Sequence, residues 1–202
     1  MIKKIQAYYI IFFVTIFLSL IVGSNSSENS SLISIGNKNA KITVKVFSSL
    51  TCPHCANFHK KIFYKLEKEF IKTDIVKFEH HGFPLDLAAL NAEKVLRCPD
   101  NIKKRLSFLS EIYEKQDTWA VGSDINSINS KLMKMAKNYD LNDDKIKSCL
   151  NNEKMEDKIL NDRVTNNKKY SIISTPTVFI NEKKYEGKHD YKDFRKAIKK
   201  LL

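Results

Sequence analysis

From Ile33 onward the apolar positions switch between a period of two and a period near four, and the switches predict the order of elements. Ile33 to Ile35 reads as a short edge strand, Gly36 to Ala40 as a turn, and Ile42 to Ser48 as a central strand, β-branched at Ile42, Thr43, Val44 and Val46. Phe58, Ile62, Leu66 and Phe70 then recur every four residues, which predicts a helix ending near Lys72. Ile75 to His80 returns to strand composition, and Gly82-Phe83-Pro84 breaks it.

From Asp86 to about Lys169 the pattern is helical, with no good strand inside it. Leu87, Leu90, Lys94 and Cys98 run along one side of the first segment; Ile102, Leu106, Leu109, Ile112 and Tyr113 make a second stripe. Gly122-Ser123 punctuates, and Ser123 or Asp124 caps a helix carrying Ile125, Ile128, Leu132, Met135 and Tyr139. Asn142 caps another with Ile146, Cys149 and Leu150, and Met133, Met135 and Met155 read as core filler. Thr177 to Ile180 and Lys184 to Glu186 form a hairpin joined through Asn181-Glu182-Lys183, and Tyr191, Phe194, Ile198 and Leu201 put one apolar face on a terminal helix.

Ahead of this body, Lys3 and Lys4 precede an apolar stretch from Ala7 to Val22 and a small-residue site at Val22-Gly23-Ser24, the layout of an export segment. With Tyr8, Tyr9, Thr15 and Ser19 inside it, the stretch is short for a spanning helix, so residues 1–24 read as a signal peptide or an N-terminal anchor. Residues 25–32, rich in Ser and Asn, read as a linker. The body divides into a sheet-bearing domain, residues 33–85 and 170–202, and a helical insertion, residues 86–169. The formal charge of +12 does not point to nucleic acid: the lysines are scattered among Asn and Glu, without an arginine cluster or aromatic-basic motif. No coiled-coil heptads or dimerisation arm precede residue 33, and a monomer is expected.

The chemistry sits in Cys52-Pro53-His54-Cys55, at the junction of the central strand and the helix after it. Cys52 at a helix N-terminus faces unpaired N–H groups and the positive end of the helix dipole, which favour thiolate over thiol. Pro53 suits the first turn because it has no N–H to lose, and His54 adds a donor or a positive charge. Cys52, which begins the helix, is expected to be the exposed cysteine that a substrate thiolate attacks, and Cys55, one turn inside, the more buried partner. A static bridge over two intervening residues would constrain little chain, so stability is a poor reason for it. A closed zinc site needs four ligands; Cys52, Cys55 and His59 lack a second Cys-x-x-Cys or a His pair, and neither metal nor cofactor is expected. His59 reads as a solvated or packed helix residue. His80 and His81 read as partly exposed polar residues, with no suitably spaced carboxylate or cysteine beside them.

In this motif, its strand-to-helix context and the downstream Ser174-Thr175-Pro176-Thr177, the chain resembles the DsbA family of thioredoxin-like thiol oxidoreductases, over most of the sequence after residue 35. The resemblance implies an α/β thioredoxin-like fold with an inserted all-helical subdomain. It implies a cis bond before Pro176, and a backbone at Thr175 offered to an extended substrate segment. It implies a Cys52–Cys55 disulfide donated to unfolded exported chains with free cysteines in the periplasm, and regenerated by a membrane oxidase of the DsbB kind. Enzymes of this kind often carry a buried acid six residues before the first cysteine; here that position is Val46, so a proton at Cys55 must move through water or another group.

Cys98 and Cys149 lie in the helical block without metal-like spacing. In an exported protein an even cysteine count favours pairing, and a structural bridge there is expected, with a second redox pair or two free thiols as the alternatives. Some alpha-proteobacterial members of the resembling family are similar in having an extra pair here. Three rivals to the oxidase remain open from the residues: an isomerase or reductase kept in the dithiol state, a non-enzymatic metal-binding envelope protein, and a surface protein whose redox site is vestigial.

Overall fold

The computed structural model describes residues 33–202; the export segment and the linker expected over residues 1–32 lie outside them. Strand β1 (Ile33–Ile35) leads to β2 (Ile42–Ser48), helix α1 (residues 53–71) and β3 (Val76–Gly82). Six helices follow: α2 (Leu87–Leu96), α3 (Ile102–Glu114), α4 (Gln116–Trp119), α5 (Ile125–Ala136), α6 (Asp143–Leu150) and α7 (Glu153–Tyr170). The chain closes with β4 (Thr177–Ile180), β5 (Lys183–Lys184) and α8 (Tyr191–Lys199).

The strands make one sheet in the order β1-β3-β2-β4-β5. β2 and β3 run parallel, with α1 as their crossover; the other pairings are antiparallel. This is a thioredoxin-like sheet with a helical insertion between β3 and β4. Alternation along β2 sends Ile42, Val44 and Val46 to the face covered by α1 and α8, where they pack with Phe58, Ile62, Phe63, Leu66, Phe70, Phe194 and Ile198. Each such side chain contributes about 1.5–3 kcal/mol by leaving water. The opposite face carries a smaller cluster of Phe47, Phe83, Ile172 and Phe179.

α1 is not a uniform α-helix: His59–Phe63 and Glu67–Ile71 are π-helical, separated by Tyr64–Leu66. The wider turns bring His59, Phe63 and Ile71 into the core beside the four-residue stripe. In the helical block, Asp86, Asn101, Asp124, Asn142 and Asn152 each accept a backbone N–H within the first turn of the next helix.

Four expectations need correction. β3 runs two residues further, because Ser48 of β2 pairs with Gly82. The hairpin loop has two residues, and β5 begins at Lys183, because Asn181 and Glu182 both take left-handed conformations, with φ of 48° and 63°. The Asn181 carboxamide holds that turn, accepting from Thr43 N at 2.7 Å and donating to Lys41 O at 3.2 Å, while Glu182 is anchored by Lys45 and Tyr170. His80 is buried, not partly exposed, and carboxylates do accompany the histidines: Glu93 reaches His80 and Glu79 reaches His81. Leu87, Ile102 and Leu201 lie outside the stripes given to them and are exposed.

Candidate active site

Cys52 occupies the N-cap of α1 with extended backbone (φ −77°, ψ 119°) and Pro53 follows in the first turn. The N–H groups of Cys55 and Ala56 return to Cys52 O at 3.0 and 3.2 Å, closing that turn. The two cysteines are free thiols in this structure; against the expectation of an exposed Cys52, both are buried in the core they share with Leu50 and Ala56, Cys55 almost wholly. A hydrogen bond from Cys55 is the largest influence on Cys52; burial opposes it, but Thr175 and the backbone N–H groups of Cys55 and His54 add to it, and the Cys52 pKa is brought down to about 5. Cys55 moves the other way. Burial, and then the Cys52 sulfur beside it, push its thiol well above the ordinary cysteine value. The pair is split into a thiolate at the rim and a thiol beneath it.

The Thr175–Pro176 peptide bond is cis. It brings Thr175 O to 3.3 Å from Cys52 Sγ, which as a thiol donates to it. The buried Thr175 hydroxyl has no partner of standard hydrogen-bond geometry and is left facing the sulfurs. Cys52, Cys55, Thr175 and Pro176 therefore meet at one place, 123 residues apart in sequence between Cys52 and Thr175. His54 is exposed, and what it directs at the Cys52 sulfur is its backbone N–H. Pro53 is exposed beside it. Cys98 and Cys149 are disulfide-bonded, with Cα atoms 6.2 Å apart, and tie the end of α2 to α6. Val46 is buried on β2, and Lys45 points to the other face, toward Tyr170 and Glu182.

Gln116 is a site residue that sequence patterns do not reveal. Its buried side-chain amide donates to Leu50 O at 2.7 Å and to Cys52 O at 3.1 Å, pinning the strand-to-helix turn from α4. Beside it, Thr51 donates to the Asp86 carboxylate at 2.7 Å. Gln116→Leu should lower stability by about 2 kcal/mol, since the buried Leu50 carbonyl loses its donor, and should leave the turn mobile. A denaturant titration together with hydrogen exchange over residues 50–56 would measure both effects; unchanged exchange there would show that the turn holds itself. Among the described residues no three His, Cys, Asp or Glu side chains gather as a metal site, and no helix is long and apolar enough to cross a membrane.

Comparison with known proteins agrees with this geometry. A family model described as thioredoxin matches residues 28–200. Disulfide bond formation protein D of Bacillus subtilis is 30% identical over 178 residues, 83% of this chain and 76% of that protein. A protein of Rickettsia prowazekii named a protein-disulfide oxidoreductase is 29% identical over 168 residues, 83% of this chain and 60% of its own length. The chain spans 52% to 60% of the length of the Rickettsia relatives it matches. The crystal structure of Wolbachia pipientis alpha-DsbA1 superimposes with a TM-score of 0.77 at 29% identity, covering 84% of this chain and 90% of that one. The chain belongs to the thioredoxin family, and within it is related to the DsbA proteins of alpha-proteobacteria.

Proposed function

We propose that this protein is an exported thiol:disulfide oxidoreductase that introduces disulfides into envelope or secreted proteins through Cys52-Pro53-His54-Cys55. One observation carries the reading: the two sulfurs are split, with the Cys52 pKa near 5 and that of Cys55 raised. A stabilised Cys52 thiolate is a good leaving group and makes the Cys52–Cys55 disulfide easy to reduce, which is what a disulfide donor needs. A substrate thiolate attacks Cys52, the Cys52–Cys55 bond breaks, and Cys55 leaves with the electron pair and takes up a proton. A second substrate thiolate then attacks the mixed disulfide, the substrate disulfide forms, and Cys52 departs as thiolate. Thr175 and Pro176, beside the Cys52 sulfur, are read as offering their backbone to an extended substrate segment, strand-fashion. Pro53 shapes the first turn, and His54 lends its backbone N–H.

The substrates are unfolded exported chains with free cysteines, met by a monomer in the periplasm, and a membrane oxidase of the DsbB kind restores the disulfide. Residues 1–24 direct export and 25–32 link that segment to the body; residues 33–85 with 170–202 form the thioredoxin-like domain, and 86–169 its insertion. Cys98–Cys149 serves as a structural bridge. Equilibration against glutathione buffers, with each pair followed by alkylation and peptide mass, tests the reading. A Cys52–Cys55 potential well above the glutathione range is expected; a value near that of thioredoxin would move the assignment to a reductase or isomerase held reduced.

A further inference from the structure

Between β3 and α2 the fold buries charge that the exchange chemistry does not use. His80 Nε2 lies 3.4 Å from Glu93 Oε1, and Arg97 Nη2 donates to Glu93 Oε2 at 3.4 Å. The His80 and Glu93 side chains are 4% and 2% exposed. Burial works against the Glu93 carboxylate, yet His80 and Arg97 outweigh it and hold it ionised, below the ordinary carboxylate range. Room for it is made on β3: a Cβ on Gly82 would stand 2.5 Å from Glu93 Cδ. Stability is a weak reason for such a cluster, since apolar replacements of buried ion pairs are often as stable or more so.

Its position relates it to the sulfurs. His80 is the β3 partner of Val46 across the parallel ladder, so its ring stands beside the side chain where the resembling enzymes often carry an acid. The Tyr113 hydroxyl, from α3, is fully buried and has no partner of standard geometry. The Tyr113 ring centroid lies 6.4 Å from that of His80 and the residue shares a core cluster with Cys55; burial, followed by the charges of Cys55 and Glu93, pushes its pKa up. The other group turned to His80 on this face is His59 of α1, which burial, and then His80, bring down to about 3 and keep neutral. Glu79, His81 and Lys77 pair with one another on β3, with the His81 ring tilted against Phe47 at the opposite face.

We infer that the Glu93–His80 pair is the proton relay of Cys55, with the Tyr113 hydroxyl between them, doing from the neighbouring strand what an acid at position 46 would do. The inference rests on the exchange reaction proposed above. When Cys55 attacks a mixed disulfide at Cys52, the bond from Cys52 to the substrate sulfur breaks, the Cys52–Cys55 bond forms and the substrate sulfur leaves with the electron pair. The Cys55 proton passes to the Glu93 carboxylate and then to solvent. In the reverse direction a proton enters from solvent and passes through Glu93 to the departing Cys55 sulfur. Within the mixed disulfide Cys52 carries no charge, so of the two influences that raise Cys55 only burial remains, and the transfer is eased at the step that needs it.

Reaction of the reduced protein with dithiobis-nitrobenzoate, followed by stopped-flow absorbance across pH, tests this. The first aromatic thiolate released reports attack by Cys52, and the second reports attack by Cys55. Glu93→Gln should leave the first release and its pH midpoint unchanged. It should slow the second by about tenfold or more at neutral pH and make its logarithm rise linearly with pH, as hydroxide becomes the base. Gly82→Ala, which displaces the carboxylate without removing it, should slow the second release in the same way and serves if Glu93→Gln does not fold. A second release unchanged in rate and pH profile in either folded variant would overturn the relay, as would equal slowing of both releases. Loss of the first release in the unaltered protein would instead count against the exchange reading itself.

Discussion

Cys52→Ser is expected to lose all measurable thiol–disulfide exchange, while the unaltered Cys52 should alkylate with a pH midpoint of about 5. The two outcomes share a cause. At neutral pH the reduced site holds one proton, on Cys55, because Cys52 is already ionised. The two-electron couple should therefore change by about 30 mV per pH unit above pH 5 and by about 60 mV per unit below it, where two protons are taken up. The sign for stability follows from the lowered pKa. The thiolate stabilises the reduced fold fully above the ordinary cysteine pKa of about 8.5, and that stabilisation shrinks as pH falls and is gone below about 5. Melting temperatures of reduced and oxidised protein should therefore converge toward acid pH. A Cys52 alkylation midpoint near 8 would remove the thiolate from the account, and a single slope across pH 5 would do the same from the redox side.

Replacing Cys98 and Cys149 together by Ala is expected to cost about 4 kcal/mol, the loop-closure value for a bridge spanning 51 residues. The pair joins the end of α2 to α6, and without it denaturant midpoints should drop and the slope should rise, because the denatured chain freed of the cross-link exposes more surface. Both cysteines are buried in the same core cluster as Leu96, Ile128 and Ile146, and a substrate thiolate has poor access to them. The Cys52–Cys55 potential of this variant should match that of the parent. A shift in that potential would give the second bridge a redox role in place of a structural one.

What could be read from the chain divides by the range of the interaction. β1 and β2 follow from alternation alone, and α1 from its four-residue stripe, because the period is local and one face of each is buried. The caps at Asp124 and Asn142 are equally local. α7 has no such signal: over its 18 residues only Ile159 is buried, so no stripe separates it from a solvated helical run. The hairpin register escaped because Asn181 and Glu182 are not glycine, and their left-handed turn is held by partners on β2 and α7. The cysteine motif is legible because its four residues are contiguous. Gln116 and Glu93 are not: the first reaches back 64 residues to Cys52, and the second meets a histidine only where α2 folds over β3.

The core that holds Cys52, Cys55 and Leu50 is continuous with Val95, Leu96, Ile112, Tyr113 and Trp119 of the helical block. The block is thus not a removable lid. A shortened chain joining β3 directly to β4 would keep every strand of the sheet and still strip the covering from Cys55, returning its thiol toward an ordinary solvated one. Modularity in this chain stops at the sulfurs: the sheet supplies their placement and the helices supply the dryness that sets them apart.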